Sequence, residues 1–136
     1  MLVYARPSIA GRKEICAMSL KINVRETGNV VILDLNGRIT LGEEVASLRD
    51  TIRELLDAGQ KNILLNMGDV PYIDSSGLGQ LVGSFATVTN RGGQLKLLNL
   101  QKKLHELMQV TKLITVFETY TSESSALRSF AGAASA

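Results

Sequence analysis

The sequence predicts an α/β fold with a mixed, mostly parallel β-sheet of four to five strands, an N-terminal hairpin and about four α-helices. Strand-like and helix-like segments alternate along the chain, two alternating segments flank a turn near its start, and one interior segment is almost continuously apolar. The order β-β-α-β-α-β-α-β-α is typical of a sheet whose parallel strands are joined by right-handed helical crossovers.

A β-hairpin is predicted first. Leu20, Ile22 and Val24 alternate with polar residues, turn residues follow at 27–29, and the alternation resumes over residues 30–36. This spacing predicts two antiparallel strands with one apolar face.

The first helix is predicted after a loop formed by residues 37–40. Glu43 and Glu44 favour a helix N-terminus at this point, and Gly59 is suited to the position just after a helix ends. The helical stripe between them consists of Val45, Leu48, Ile52, Leu55 and Leu56.

The remaining elements follow the same alternation. Residues 61–66 are nearly all apolar, as expected for a central strand that is covered on both faces. The apolar residues of the second helix are Leu78, Leu81, Val82, Phe85 and Val88. After it we predict a strand at 94–99, a helix at 101–110, a weak strand at 115–119 and a terminal helix at 122–130.

Length and composition limit the class of protein. The 136 residues, 45% of them hydrophobic, suit one soluble domain, and no apolar run is long enough to span a membrane. The single cysteine, Cys16, excludes an internal disulfide and an all-cysteine metal site, which favours a reducing cytoplasm.

The charge distribution argues against direct nucleic-acid binding. Residues 1–17 hold three basic residues and one acidic residue, which leaves 12 basic and 12 acidic residues for the rest of the chain. Tryptophan is absent and other aromatic residues are few, so a stacking platform for bases is also not expected.

The chain is expected to consist of one domain with two short flanking segments. We expect the domain at 18–130, a flexible extension at 1–17 and a disordered tail at 131–136. Met18 and Ser19 directly precede the first strand, so translation from Met18 is one open alternative for the extension. An added edge strand is another.

The segment Asp74-Ser75-Ser76-Gly77-Leu78-Gly79 separates a predicted strand from the second helix. Its first three residues are all of types that cap helices, because a short oxygen-bearing side chain can accept a hydrogen bond from the first turn. Each glycine lowers helix propensity by about 1 kcal/mol relative to alanine, so the glycines are not explained by helix stability. Because they have no side chain, we expect them to allow close approach by another backbone or another protein.

This segment and strand order, together with Gly37-Arg38-Ile39-Thr40 after the hairpin, resemble the STAS domain of bacterial anti-sigma factor antagonists. The resemblance covers roughly residues 18–130 and implies the STAS fold. It implies a non-enzymatic cytoplasmic regulator without cofactor or metal, which controls sigma-factor-dependent transcription by partner switching. The expected partners are an anti-sigma factor that is also a serine kinase, and a serine phosphatase of the same pathway.

The resemblance also implies the site residues. Ser75 is the expected phosphorylation site, and its phosphorylation would release the kinase, whereas Ser76 holds the normally unmodified position. The expected partner-binding residues are Asp74, Ser75, Ser76, Gly77, Leu78, Arg38 and Thr40. Thr40 departs from the family pattern, because many members have an acidic residue there. We expect Gly77 to clear space for a partner, and Gly79 and Gly83 to serve either a partner or internal packing.

Two other classes use similar features. A receiver-like protein would accept a phosphoryl group on Asp69 or Asp74, but the early strands do not end in the acidic pair that would hold Mg²⁺. A non-switching STAS subunit of a lipid-transport or stress-signalling assembly would use Ser75 as a contact residue. Both alternatives remain open at this stage, as does a monomeric or weakly dimeric state.

Enzymatic alternatives have less support. A serine hydrolase elbow needs a glycine two residues before the nucleophile and a histidine base. Ile73 and Asp74 occupy the positions two residues before the two serines, and the only histidine, His105, falls in a predicted helix beside two lysines. Zinc ligands and a phosphate-binding P-loop are also missing from the sequence.

Overall fold

The protein forms one mixed six-stranded sheet with helices on both faces. The computed structural model describes the backbone of residues 13–17 and 20–135 and the side chains of residues 20–130. Our expectations for residues 1–12, for Met18 and for Ala136 concern positions outside the described residues.

The strands lie in the sheet in the same order as in the sequence. They are β1 Lys13–Ala17, β2 Leu20–Thr27, β3 Val30–Gly37, β4 Asn62–Asp69, β5 Gln94–Leu98 and β6 Thr119–Tyr120. The helices are α1 Glu43–Asp57, α2 Ser75–Asn90, α3 Lys102–Val110 and α4 Glu123–Ser135. Strands β1 to β3 pair antiparallel and β3 to β6 pair parallel, so the predicted α/β fold with its N-terminal hairpin is confirmed.

Two apolar cores cover the two faces of the sheet, which explains why β4 is apolar on both sides. On the larger side, Leu33, Leu65 and other strand residues pack with the buried stripes of α1 and α2. The smaller core, beneath α4, consists of Val30, Ile32, Leu64, Leu98, Ala126 and Phe130.

Beyond the regular strands, one isolated parallel bridge joins Ile39 to Ile73. The Ile39 N–H donates to the Tyr72 carbonyl oxygen at 3.2 Å, and the Asp74 N–H donates to the Ile39 carbonyl oxygen at 3.3 Å. The loop after β3 is thereby held beside the segment that leads into α2.

The described parts of the two chain ends are both regular. Residues Lys13–Ala17 form strand β1, the added edge strand that was one of the alternatives to a flexible arm, because they pair in antiparallel register with β2, with Ile15 opposite Ile22. At the other end, α4 continues to Ser135 instead of fraying after Phe130. Alanines at 131, 133 and 134 are strong helix formers and account for this extension.

The prediction of a strand at 115–119 was wrong over most of its length. A 3-10 turn occupies Leu113–Thr115, and Phe117 turns inward to pack edge-to-face on Phe85 with ring centroids 5.2 Å apart. Only Thr119 and Tyr120 pair with β5, because burial of Phe117 takes the preceding residues away from the sheet.

Candidate functional site at the start of α2

Asp74 caps α2, and the two serines occupy the first turn of the helix. The backbone of Asp74 is extended, and its Oδ1 accepts a hydrogen bond from the Gly77 N–H at 2.8 Å. Of the three possible caps, the structure therefore selects Asp74 and leaves both serine side chains for other roles. Ser75 is exposed and Ser76 is half-buried.

The other carboxylate oxygen of Asp74 binds a different segment of the chain. Asp74 Oδ2 accepts a hydrogen bond from the Leu41 N–H at 3.0 Å. The Leu41 N–H, followed by the Gly77 N–H, lowers the pKa of the Asp74 carboxyl below its usual range. One carboxylate thus joins the start of α2 to the loop that leads into α1.

Gly77 has an internal role, contrary to our expectation that it clears space for a partner. It is buried, and a Cβ built on it would lie 2.2 Å from the Ile39 carbonyl oxygen and 3.0 Å from Ile73 Cγ2. The absence of a side chain lets α2 begin directly against the bridged loop.

Gly79 and Gly83 show the opposite arrangement. Both are exposed, and a Cβ on either would meet no atom within 4 Å apart from its chain neighbours and the adjacent backbone of its own helix. With Ser75 they follow a spacing of four residues, which places all three on one side of α2. The internal-packing alternative for these two glycines is therefore wrong, and they form a flat exposed stripe.

The remaining predicted site residues lie around this helix start with different degrees of burial. Leu78 is half-buried and packs against the larger core, which limits how much of it a partner could contact. Arg38 is exposed on the loop after β3. Thr40 is half-buried, and its hydroxyl donates to Glu44 Oε1 at 3.5 Å, beside the start of α1.

Two exposed apolar side chains near Ser75 were missed by the sequence reasoning. Leu41 is 74% exposed and Tyr72 is 52% exposed. Each belongs to a residue whose backbone hydrogen-bonds across the junction between the loop and α2. The sequence signal was available, since both are large apolar residues within loops and outside any helical or alternating pattern. We refer to Leu41, Tyr72, Ser75, Gly79 and Gly83 as the candidate docking surface.

The arrangement offers little support for catalysis at this site. Among the described side chains, no group of three or more acidic, histidine or cysteine residues could hold a metal ion. The only histidine of the sequence, His105, lies in α3 and not in α2. Asp74 is already committed to two backbone N–H groups, while Asp69 is exposed at the end of β4. Within residues 13–17 and 20–135, no helix has both the length and the apolar character needed to cross a membrane.

Comparison of the sequence with known proteins identifies the family of this chain. Residues 21–126 match the STAS domain family model. The anti-sigma-B factor antagonist of Bacillus subtilis is 32% identical over 101 residues, which are 74% of this chain and 91% of the relative. The anti-sigma F factor antagonist of Paenibacillus polymyxa is 25% identical over 111 residues, covering 81% of this chain and 94% of the relative.

A solved structure agrees with the fold. The crystal structure of a proposed anti-sigma factor antagonist from Thermotoga maritima superposes with a TM-score of 0.74 at 25% identity, covering 79% of this chain and 92% of that chain. The resemblance predicted from the sequence is confirmed. The chain belongs to the STAS domain family and is related to the bacterial anti-sigma factor antagonists.

Proposed function

We propose that this protein is a cytoplasmic anti-sigma factor antagonist that binds an anti-sigma factor serine kinase and is switched off by phosphorylation of Ser75. The observation that carries the proposal is the exposed Ser75 at the start of a helix whose capping position is already filled by Asp74. Family membership supports the class of partner. The protein acts as a binding module and a phosphoryl acceptor, and the partner supplies the catalysis.

The phosphoryl transfer would occur on the kinase. The Ser75 Oγ attacks the γ-phosphorus of ATP, the bond from that phosphorus to the bridging oxygen breaks, ADP leaves, and a base of the kinase takes the hydroxyl proton. Ser75 is exposed and the capping position is filled by Asp74, so modification of the Ser75 hydroxyl need not break the helix cap. Hydrolysis of the phosphoserine by a serine phosphatase would restore the binding form.

Electrostatics explains how one modification could end binding without unfolding the domain. A phosphate adds a charge of about −1.5 to −2 and three acceptor oxygens, which the positive end of a helix dipole tolerates. The exposed Leu41, Tyr72 and glycine stripe favour close apolar contact with a partner. A partner seated there would have to desolvate the new dianion beside Asp74, which strongly disfavours the complex.

The two adjacent serines provide a matched pair for the test. Incubation with the cognate kinase and ATP should add one phosphate, and mass spectrometry of peptides should locate it on Ser75. Ser75→Ala should abolish labelling, whereas the control Ser76→Ala should retain it. Labelling that persists in Ser75→Ala, or a phosphate that hydroxylamine releases as an acyl phosphate, would contradict the proposal.

Identification of the partner separates this function from a structural STAS subunit. We expect the unphosphorylated protein to capture a small serine kinase. Isolation of a membrane lipid-transport assembly, with no kinase that labels Ser75, would favour the non-switching alternative.

A further inference from the structure

We propose that Asp74 is a positioning residue that transmits the phosphorylation of Ser75 to the Leu41 loop. This inference rests on the proposed function, because it concerns the same phosphorylation site. It adds a second consequence of phosphorylation, namely the release of an exposed apolar side chain that lies outside the helix.

The Asp74 carboxylate accepts hydrogen bonds from two backbone N–H groups in different segments. Asp74 Oδ1 binds the Gly77 N–H within α2 at 2.8 Å, and Asp74 Oδ2 binds the Leu41 N–H at 3.0 Å. Leu41 precedes Gly42, which is the N-cap residue of α1 and makes no side-chain cap hydrogen bond. Because Leu41 is itself 74% exposed, packing of its side chain contributes little to holding it in place.

The backbone pairing at Ile39 ends just before Leu41. Ile39 is buried and is fixed by two backbone hydrogen bonds to Tyr72 and Asp74, and Gly77 packs against its carbonyl oxygen. The Leu41 N–H, two residues further on, has a carboxylate as its acceptor instead of a backbone carbonyl. A change at Asp74 can therefore release Leu41 while the bridge at Ile39 stays intact.

Phosphorylation of Ser75 would act on this carboxylate by charge and by competition. The phosphate is attached to the residue directly after Asp74, so two negatively charged groups would share the first turn of α2. Its oxygens are also strong acceptors for the N–H groups of that turn, including the one that Asp74 now uses. Both effects favour rotation of the Asp74 side chain away from the helix start, and the Leu41 N–H then loses its acceptor.

The chain offers a variant that separates capping from this second contact. Asp74→Ser retains a good helix cap, because a serine oxygen can accept from the Gly77 N–H. Serine has only one short side-chain oxygen, so the Leu41 N–H is left without its partner. A smaller loss of thermal stability in Asp74→Ser than in Asp74→Ala would show that the cap is preserved.

Amide hydrogen exchange of the free protein tests the proposal by NMR. Phosphoserine can be incorporated at position 75 during synthesis, so the experiment does not depend on finding the kinase. We expect exchange at Leu41 to be about tenfold faster in the phosphorylated wild-type chain than in the unmodified one. Asp74→Ser should show the fast rate in both states, and the Ile39 amide should stay protected throughout.

Slow exchange at Leu41 in the phosphorylated wild-type chain would overturn the proposal, as would slow exchange in Asp74→Ser. These outcomes concern only the link between Asp74 and Leu41. Failure of any kinase to label Ser75 would instead refute the proposed function and would leave the exchange result unaffected.

Discussion

The start of α2 and the sheet face beneath α4 differ in which side chains they expose and which they bury. At the start of α2, two large apolar side chains are exposed and one carboxylate is held by backbone N–H groups. Beneath α4, the charged side chain of Lys96 is buried, with only 5% exposed. Its Nζ lies 3.0 Å from Ser129 Oγ and 4.8 Å from the Phe130 ring centroid. The first arrangement leaves surface available to a partner, whereas the second attaches a helix to the sheet.

Arg25 shows how the α4 face uses ion pairs for attachment. Its guanidinium binds Asp34 on β3 and Glu123 at the start of α4, and these hydrogen bonds raise the pKa of Arg25. Asp34 in turn accepts from Asn66 Nδ2 at 2.8 Å. This network links β2, β3, β4 and α4, so we assign it to stability, whereas the start of α2 is the surface that we propose for binding.

The largest expected effect comes from adding one methyl group at Gly77. In Gly77→Ala the new Cβ would collide with the Ile39 backbone, and overpacking of this kind costs about 1–3 kcal/mol. The matched control Gly79→Ala places its methyl group in open space and should stabilise α2 by up to about 1 kcal/mol. Urea unfolding of both variants measures the contrast, and equal destabilisation would contradict the assigned roles of the two glycines.

A slightly smaller effect is expected at the exposed apolar residues. Leu41→Ala and Tyr72→Ala should each weaken binding of the kinase by about tenfold, since buried apolar anchors typically contribute 1–2 kcal/mol to an interface. The melting temperature should change little, because both side chains are exposed in the free protein. Calorimetric titration measures the affinity, and unchanged binding in both variants would remove them from the candidate docking surface.

Arg25→Met should lower stability and leave binding unchanged, which is the reverse of the pattern expected for Leu41→Ala and Tyr72→Ala. Loss of its hydrogen bonds to Asp34 and Glu123 should lower the free energy of unfolding by about 1 kcal/mol, a value reduced by the partial exposure of all three groups. Kinase binding and labelling of Ser75 should remain as in the wild type. Weakened binding by a fully folded Arg25→Met would show that the two regions are not separate.

The smallest effect is expected from the pH dependence of the stability that Asp74 contributes. The pKa of Asp74 is lower in the folded state, so its contribution to stability is present above the unfolded pKa of about 4 and is lost as pH falls through the folded value. The difference in melting temperature between wild type and Asp74→Asn should therefore be present at pH 7 and shrink at about pH 3. A difference that is constant across this range would show that the carboxylate charge is not involved.

Local sequence patterns predicted those parts of the fold and site that depend on neighbouring residues. The hairpin, the helical stripes and the capped start of α2 all follow from residues within one or two turns of each other. The role of Gly77 could not be predicted in this way, because the atom that it approaches belongs to Ile39, which is 38 positions earlier. Leu41 is recognisable in the sequence as an apolar loop residue, but its attachment to the start of α2 could not be predicted, because its backbone N–H binds a carboxylate 33 positions later.

The central claim is that phosphorylation of Ser75 prevents the partner from docking on the exposed start of α2. Its most direct test is a calorimetric titration of the anti-sigma factor kinase with unmodified protein and with protein that carries phosphoserine at position 75. We predict that the phosphate lowers the affinity by at least about 100-fold while the melting temperature stays nearly unchanged. Equal affinity of the two forms would contradict the account.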